Sequence, residues 1–126
     1  MYQLLMVCVG GALGAGTRHL VNLIALRALG PSFPWGTFIV NIAGSFAMGL
    51  LIGIFAQRTQ TSPELRLLLT TGLLGGFTTF SAYALDIVAL MERKAPLAAA
   101  GYMFGSVGLA VMALIAGLVV VRAVSP

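Results

Sequence analysis

The stretch Thr70–Leu85 reads T-T-G-L-L-G-G-F-T-T-F-S-A-Y-A-L. It lies within an apolar run long enough to cross a bilayer, yet its middle holds residues that a lipid-facing helix avoids: Gly72, Gly75, Gly76, Thr78, Thr79 and Ser81. Glycine pairs loosen a helix and free backbone carbonyls. Irregular backbone at membrane depth is tolerated only where protein or a watery cavity covers it. The reading is a broken membrane helix that lines something polar. Two aromatics, Phe80 and Tyr83, follow the break three residues apart, on one helical face.

The composition around this element agrees. The chain has 126 residues, of which 60% are hydrophobic and 8% charged, and its mean hydropathy is +1.05. A soluble domain of this size needs more charge to cover its surface. At about 20 apolar residues per span there is room for four spans, short loops and no soluble domain. Net charge is +4, but the basic residues are scattered near span ends without a basic-aromatic patch, which argues against nucleic acid as a partner. The single cysteine, Cys8, excludes an intrachain disulfide and reads as a small side chain in an apolar run. The N-terminus lacks a basic leader region and reads as a retained first span rather than a cleaved signal.

Span one covers residues 4–26 and carries Gly10, Gly14, Arg18 and Asn22 at intervals of four, on one face. Gly10 and Gly14 form a close-packing face. A charge inside a span costs about 2.5–3.5 kcal/mol on insertion scales. Arg18 therefore either snorkels to the membrane surface or faces an aqueous vestibule and attracts anions. Phe33 and Trp35 in the following Pro/Gly loop suit an interfacial position. Span two, residues 37–56, repeats the spacing with Asn41, Ser45, Gly49 and Gly53. Asn41 reads as an interhelical hydrogen bonder, or alternatively as a donor to a permeating ion. Ser62, Pro63 and Glu64 form a helix start for span three, residues 64–91, which contains the break. Asp86 lies toward its far end, where it is expected near the surface with Arg93 or Lys94. Span four, residues 97–121, has Tyr102, Ser106 and Ala110 on one face beside a third close-packing pair, Gly101 and Gly105. A short tail is expected from Arg122.

Orientation is undecided by charge. Arg58, Arg66 and Arg122 fall on one side of the membrane, and Arg27, Arg93 and Lys94 on the other. The positive-inside rule gives no net vote. The alternatives are a single orientation fixed by some other detail, or dual topology, in which the chain inserts both ways and two copies pair as an antiparallel homodimer.

The chain resembles the Fluc (CrcB-type) fluoride channel family over essentially its whole length. The resemblance rests on G-G-x-x-G-A-x-x-R from Gly10 to Arg18, on P-W-G-T-F-x-V-N from Pro34 to Asn41, and on the third-span T-T-G-L-L-G-G-F-T-T-F-S. It implies an all-α membrane protein with four transmembrane helices, a broken third helix and an antiparallel dual-topology homodimer. Its implied function is passive export of cytoplasmic fluoride across a bacterial plasma (inner) membrane, through two antiparallel pores. By the same resemblance Phe80 and Tyr83 match paired pore aromatics, Asn41 a pore amide, and Tyr102 and Ser106 a polar track. Arg18 matches a vestibule arginine. The carbonyls of Gly75 and Thr78 match a central structural sodium (Na+) site at the dimer interface. The chain departs from the pattern at Tyr83, commonly Phe, and at Ala82, Ala84 and Ala110, where polar residues are frequent.

The chemistry suits such an ion. Fluoride is strongly hydrated, so a pore must replace its water with donors: an amide N–H, hydroxyls, and the positive edges of aromatic rings. Carbonyls freed by the break suit a hard cation. The competing reading is a small proton-coupled cation/drug antiporter with Asp86 as its membrane carboxylate. A purely structural membrane subunit would explain the small-residue stripes but not Arg18, Asn41 and the broken helix together. The sequence holds no nucleophile–base pair, metal cluster or phosphate loop that would mark an enzyme.

Overall fold

The computed structural model describes residues 1–125. Two long helices come first: α1, Tyr2–Leu29, and α2, Trp35–Gln57. The third span, Pro63–Glu92, is composite. It consists of α3 (Pro63–Leu67), a π-helical segment (Leu68–Leu74), α4 (Gly75–Phe77) and, after a gap, α5 (Ser81–Glu92). The last helix, α6, runs Pro96–Val124, so residues 122–124, expected in a tail, continue the helix. The described residues contain helices and no strands. Four of the resulting helical spans are long and apolar enough to cross a membrane.

Local chemistry sets the ends. The α1 helix stops at Gly30, whose φ of 80° reverses the chain while its N–H caps the Leu26 carbonyl. In α3 the Ser62 hydroxyl accepts the Leu65 N–H at 3.1 Å and Pro63 takes the first helical position. At the end of α5 the Ala95 N–H returns to the Leu90 carbonyl and the Lys94 N–H to that of Met91. This closure puts Lys94 in a left-handed conformation, φ 57°, where glycine is usual.

Small residues hold the spans together by letting backbones touch. A β-carbon on Gly10 would lie 2.5 Å from the Leu68 carbonyl oxygen and 2.9 Å from the Gly72 α-carbon; one on Gly76 would lie 2.6 Å from the Gly11 carbonyl oxygen. The first close-packing face thus meets the π segment and α4. On the other side Gly49 packs on the Leu114 backbone, Gly53 on Val121, and Gly117 on Phe46 and Leu50, which joins α2 to α6. The third pair behaves differently. Around Gly101 and Gly105, and around Gly108 next to them, nothing lies within 4 Å, so this face of α6 packs against no other described part of the chain. Each span also buries only 11–28% of its most apolar window. Such apolar exposure belongs to a chain whose outer surface meets lipid or another protein.

Candidate functional site

The irregularity of the third span has two parts. In the π segment the Gly75 N–H reaches the Thr70 carbonyl, five residues back, and the helix widens. The last regular bond is from the Thr78 N–H to the Leu74 carbonyl, 3.0 Å. Thr78 then turns extended, with φ −84° and ψ 159°, and helix resumes at Ser81. Among the described residues no backbone N–H donates to the carbonyls of Gly75, Gly76, Phe77 or Thr78.

Asn41 of α2 closes the gap. Its Oδ1 accepts the Thr79 N–H at 2.8 Å and its Nδ2 donates to the Thr79 carbonyl at 3.0 Å. The pairing fixes the orientation of the amide, since only the oxygen can accept an N–H. One N–H of Nδ2 remains outside this pair. Asn41 is therefore an interhelical hydrogen bonder, 38 residues from its partner, with a donor to spare. Thr79 also starts α5: its Oγ1 accepts the Ala82 N–H at 3.2 Å.

Beside the break an open groove of about 350 Å³ is lined by Asn41, Ser45, Gly75, Thr78, Thr79, Phe80, Tyr83, Ser106, Val107 and Ala110. Six of the expected site residues meet here. Phe80 projects outward, 79% exposed, with its ring centroid 5.6 Å from that of Tyr83. The Tyr83 hydroxyl is turned away and donates to the Met103 carbonyl at 2.6 Å, which leaves the ring as the part of Tyr83 available to the groove. Ser106 is buried and its hydroxyl has no partner. A buried hydroxyl without a protein partner carries a desolvation cost. No carboxylate lines this groove.

Two expected residues lie elsewhere. Tyr102 is wholly buried behind Tyr83, ring centroids 5.4 Å apart, and its hydroxyl donates to Asp86 Oδ2 at 2.9 Å. Asp86 therefore takes its hydrogen bond from Tyr102, whereas the Arg93 guanidinium donates to the Pro31 carbonyl at 3.1 Å. Asp86 and Arg93 thus lie in one region, as expected, but without a direct bond between them. Asp86 and Arg93 line a second cavity of about 370 Å³ at the loop end of the helices, together with Asn22, Phe33, Trp35 and Thr37. An aromatic file, Phe80–Tyr83–Tyr102–Phe33, with successive centroids 5.6, 5.4 and 5.4 Å apart, runs from the groove to this cavity. Arg18 is half-buried on α1, one turn beyond Gly14, and lines neither cavity.

Sequence reasoning singled out Thr79 as a polar residue of the break but gave it no role, and it overlooked Val107. The adjacent threonines at Thr78 and Thr79 were the available signal. The structure separates them: the Thr78 hydroxyl donates back to the Leu74 carbonyl at 2.9 Å, while that of Thr79 only accepts.

Fold and groove together define a small multi-pass membrane protein organised around a broken third span. A family profile described as CrcB-like protein, Camphor Resistance (CrcB), matches residues 5–118. The chain belongs to this family. Curated relatives include the "Fluoride-specific ion channel FluC" of Chelativorans sp. (strain BNC1), 55% identical over 98% of this chain and 99% of the relative. Proteins of the same name from Mesorhizobium japonicum and from Rhizobium leguminosarum bv. trifolii are 55% identical over 97% of the chain and 50% over 99%, covering 98% and 100% of the relatives.

Proposed function

We propose that this chain is a fluoride-selective anion channel for passive export of cytoplasmic fluoride across the bacterial inner membrane, assembled as an antiparallel homodimer with two pores. The observation that carries the reading is the donor character of the groove. Asn41 keeps a free N–H, the Ser106 hydroxyl is unpartnered, the Phe80 ring stands beside them, and no carboxylate intrudes. Neutral donors replace the water of a small anion without holding it by full charge, so the ion can also leave. The names of the relatives favour fluoride as that anion. The path follows the aromatic file from the groove past Tyr83 to Tyr102. Arg18 serves as a vestibule cation that raises the local anion concentration.

The dimer is supported by surfaces left open on one chain. Phe80 and Phe104 are 79% and 73% exposed, Gly101, Gly105 and Gly108 face open space, and the groove has an open side. Balanced Lys and Arg counts suit a chain inserted both ways. The carbonyls of Gly75 and Thr78, which lack backbone donors, fit a hard monovalent cation. No group of three or more His, Cys, Asp or Glu stands ready for a metal among the described residues. Sodium bound there would link the two crossing breaks and add positive potential beside the anion path.

The test is fluoride efflux from liposomes holding only this purified protein, with chloride as control. Rapid fluoride loss with chloride retained is expected. Equal loss of the two anions, or none of fluoride from a monodisperse protein, refutes the reading. For the dimer, a terminal reporter in native membranes should be accessible from both sides, and one-sided access refutes dual topology.

A further inference from the structure

Hydroxyl groups on helices usually donate back to the carbonyl four residues earlier. Two of those in the groove do so. Ser45 donates to the Asn41 carbonyl at 2.7 Å and Thr78 to the Leu74 carbonyl at 2.9 Å. Their hydrogens are committed, as is that of Tyr83 on the Met103 carbonyl. Thr79 is different because of where it stands. The extended conformation of Thr78 interrupts the helix, and the bond to Gly75 that a helical Thr79 would make is absent: its N–H goes to Asn41. Its Oγ1 accepts from Ala82 and donates to no group among the described residues. Its N–H and carbonyl are both clamped by Asn41, so the residue is held in one position relative to α2. Thr79 therefore presents a fixed, uncommitted O–H at the groove wall.

We infer that the Thr79 hydroxyl is an ion-contacting donor of the groove, acting with the free Asn41 N–H and the Ser106 hydroxyl on the same dehydrated anion. This inference rests on the channel reading above. A hydrogen bond to a charged group contributes more than a neutral one, and its loss corresponds to roughly a tenfold effect or more. The lone pair of Thr79 that caps α5 has a structural role as well, so the test must separate the two.

Thr79→Val removes both the hydrogen and the lone pair at nearly constant shape; Thr79→Ser retains both. Each is reconstituted at fewer than one channel per vesicle. The fraction of vesicles that lose fluoride then counts assembled channels, and the rate within active vesicles reports conduction. The expected result for Thr79→Val is a fraction close to that of the wild type with a rate at least about tenfold lower, restored by Thr79→Ser. A wild-type rate in a reduced fraction of vesicles would show a role in folding alone and overturn the inference. If Thr79→Val does not assemble, Thr79→Ala, which removes the same hydroxyl with less bulk and no added charge, is read in the same way, a wild-type rate again overturning it. Wild-type vesicles that retain fluoride would refute the channel reading itself. Conducting wild type with an unimpaired Thr79→Val would refute this inference only.

Discussion

Asn41→Ala tests whether the broken helix is held by one side chain. The substitution removes two hydrogen bonds, of 2.8 and 3.0 Å, and leaves the Thr79 N–H and carbonyl without protein partners. If both groups stayed dry, the penalty would be about 1–3 kcal/mol each. The groove beside them is open, however, and admits water that can take over part of the bonding. Interhelical hydrogen bonds in membranes average about 0.6 kcal/mol and reach about 1.7. Two such bonds give a loss of about 1–3 kcal/mol, and the wet groove places the expectation in that range rather than above it. Conduction should fall further than stability, because the same change removes the free N–H and releases Thr79. The assay pairs reversible unfolding in detergent or bicelles with fluoride efflux from vesicles. Asn41→Asp separates the contributions: its carboxylate can accept the Thr79 N–H but faces the Thr79 carbonyl with like charge and repels an anion. It should lose efflux at least as completely. An Asn41→Ala protein within about 0.5 kcal/mol of wild type with undiminished efflux would refute the clamp.

Gly14→Ala should destabilise the fold by about 1–3 kcal/mol, since the added carbon would meet the Phe77 nitrogen at 2.7 Å and the Leu73 carbonyl. Gly16→Ala on the same helix, with nothing within 4 Å, should be neutral or stabilising by up to about 1 kcal/mol; unfolding of the pair side by side checks the contrast. Tyr83→Phe should keep fluoride efflux within about twofold and cost about 1 kcal/mol of stability, because the lost hydroxyl bonds the Met103 carbonyl and not the groove. Asp86→Asn retains an acceptor for Tyr102 and should leave fluoride efflux running without a pH gradient, whereas an antiporter would lose its coupled transport.

The four spans and the position of the break were legible because they depend on composition and local conformational preference. The run from Thr70 to Ser81 contains too much glycine and hydroxyl for a lipid-facing helix, and the chain does become irregular there. The π turn at Leu68–Leu74 was not legible. It accompanies the close approach of Gly10 and Gly14 to the backbone of that segment, a tertiary contact that local sequence does not announce. The same holds for partners distant in sequence. Asn41 could be read as a hydrogen bonder, but that it grips Thr79 required the fold, as did the bond from Tyr102 to Asp86. The open face at Gly101 and Gly105 shows the opposite limit. The spacing announces close packing, yet no described part of this chain packs there.

The break produces groups of both signs from one conformational event. In a continuous helix the Thr79 N–H would bond the Gly75 carbonyl, the Ala82 N–H the Thr78 carbonyl, and the Thr79 hydroxyl could fold back onto Gly75. Extension at Thr78 cancels all three. What remains is a set of carbonyls from Gly75 to Thr78 without donors, suited to a cation, and a Thr79 hydroxyl without an acceptor, suited to an anion. Asn41 satisfies only the backbone pair of Thr79 and leaves the rest unpaired. Cation site and anion path would then not be independent features. If a cation binds these carbonyls as proposed, a substitution that drives Thr78 back into helix should weaken that binding and fluoride conduction together, and separate loss of either would show that the break does not couple them.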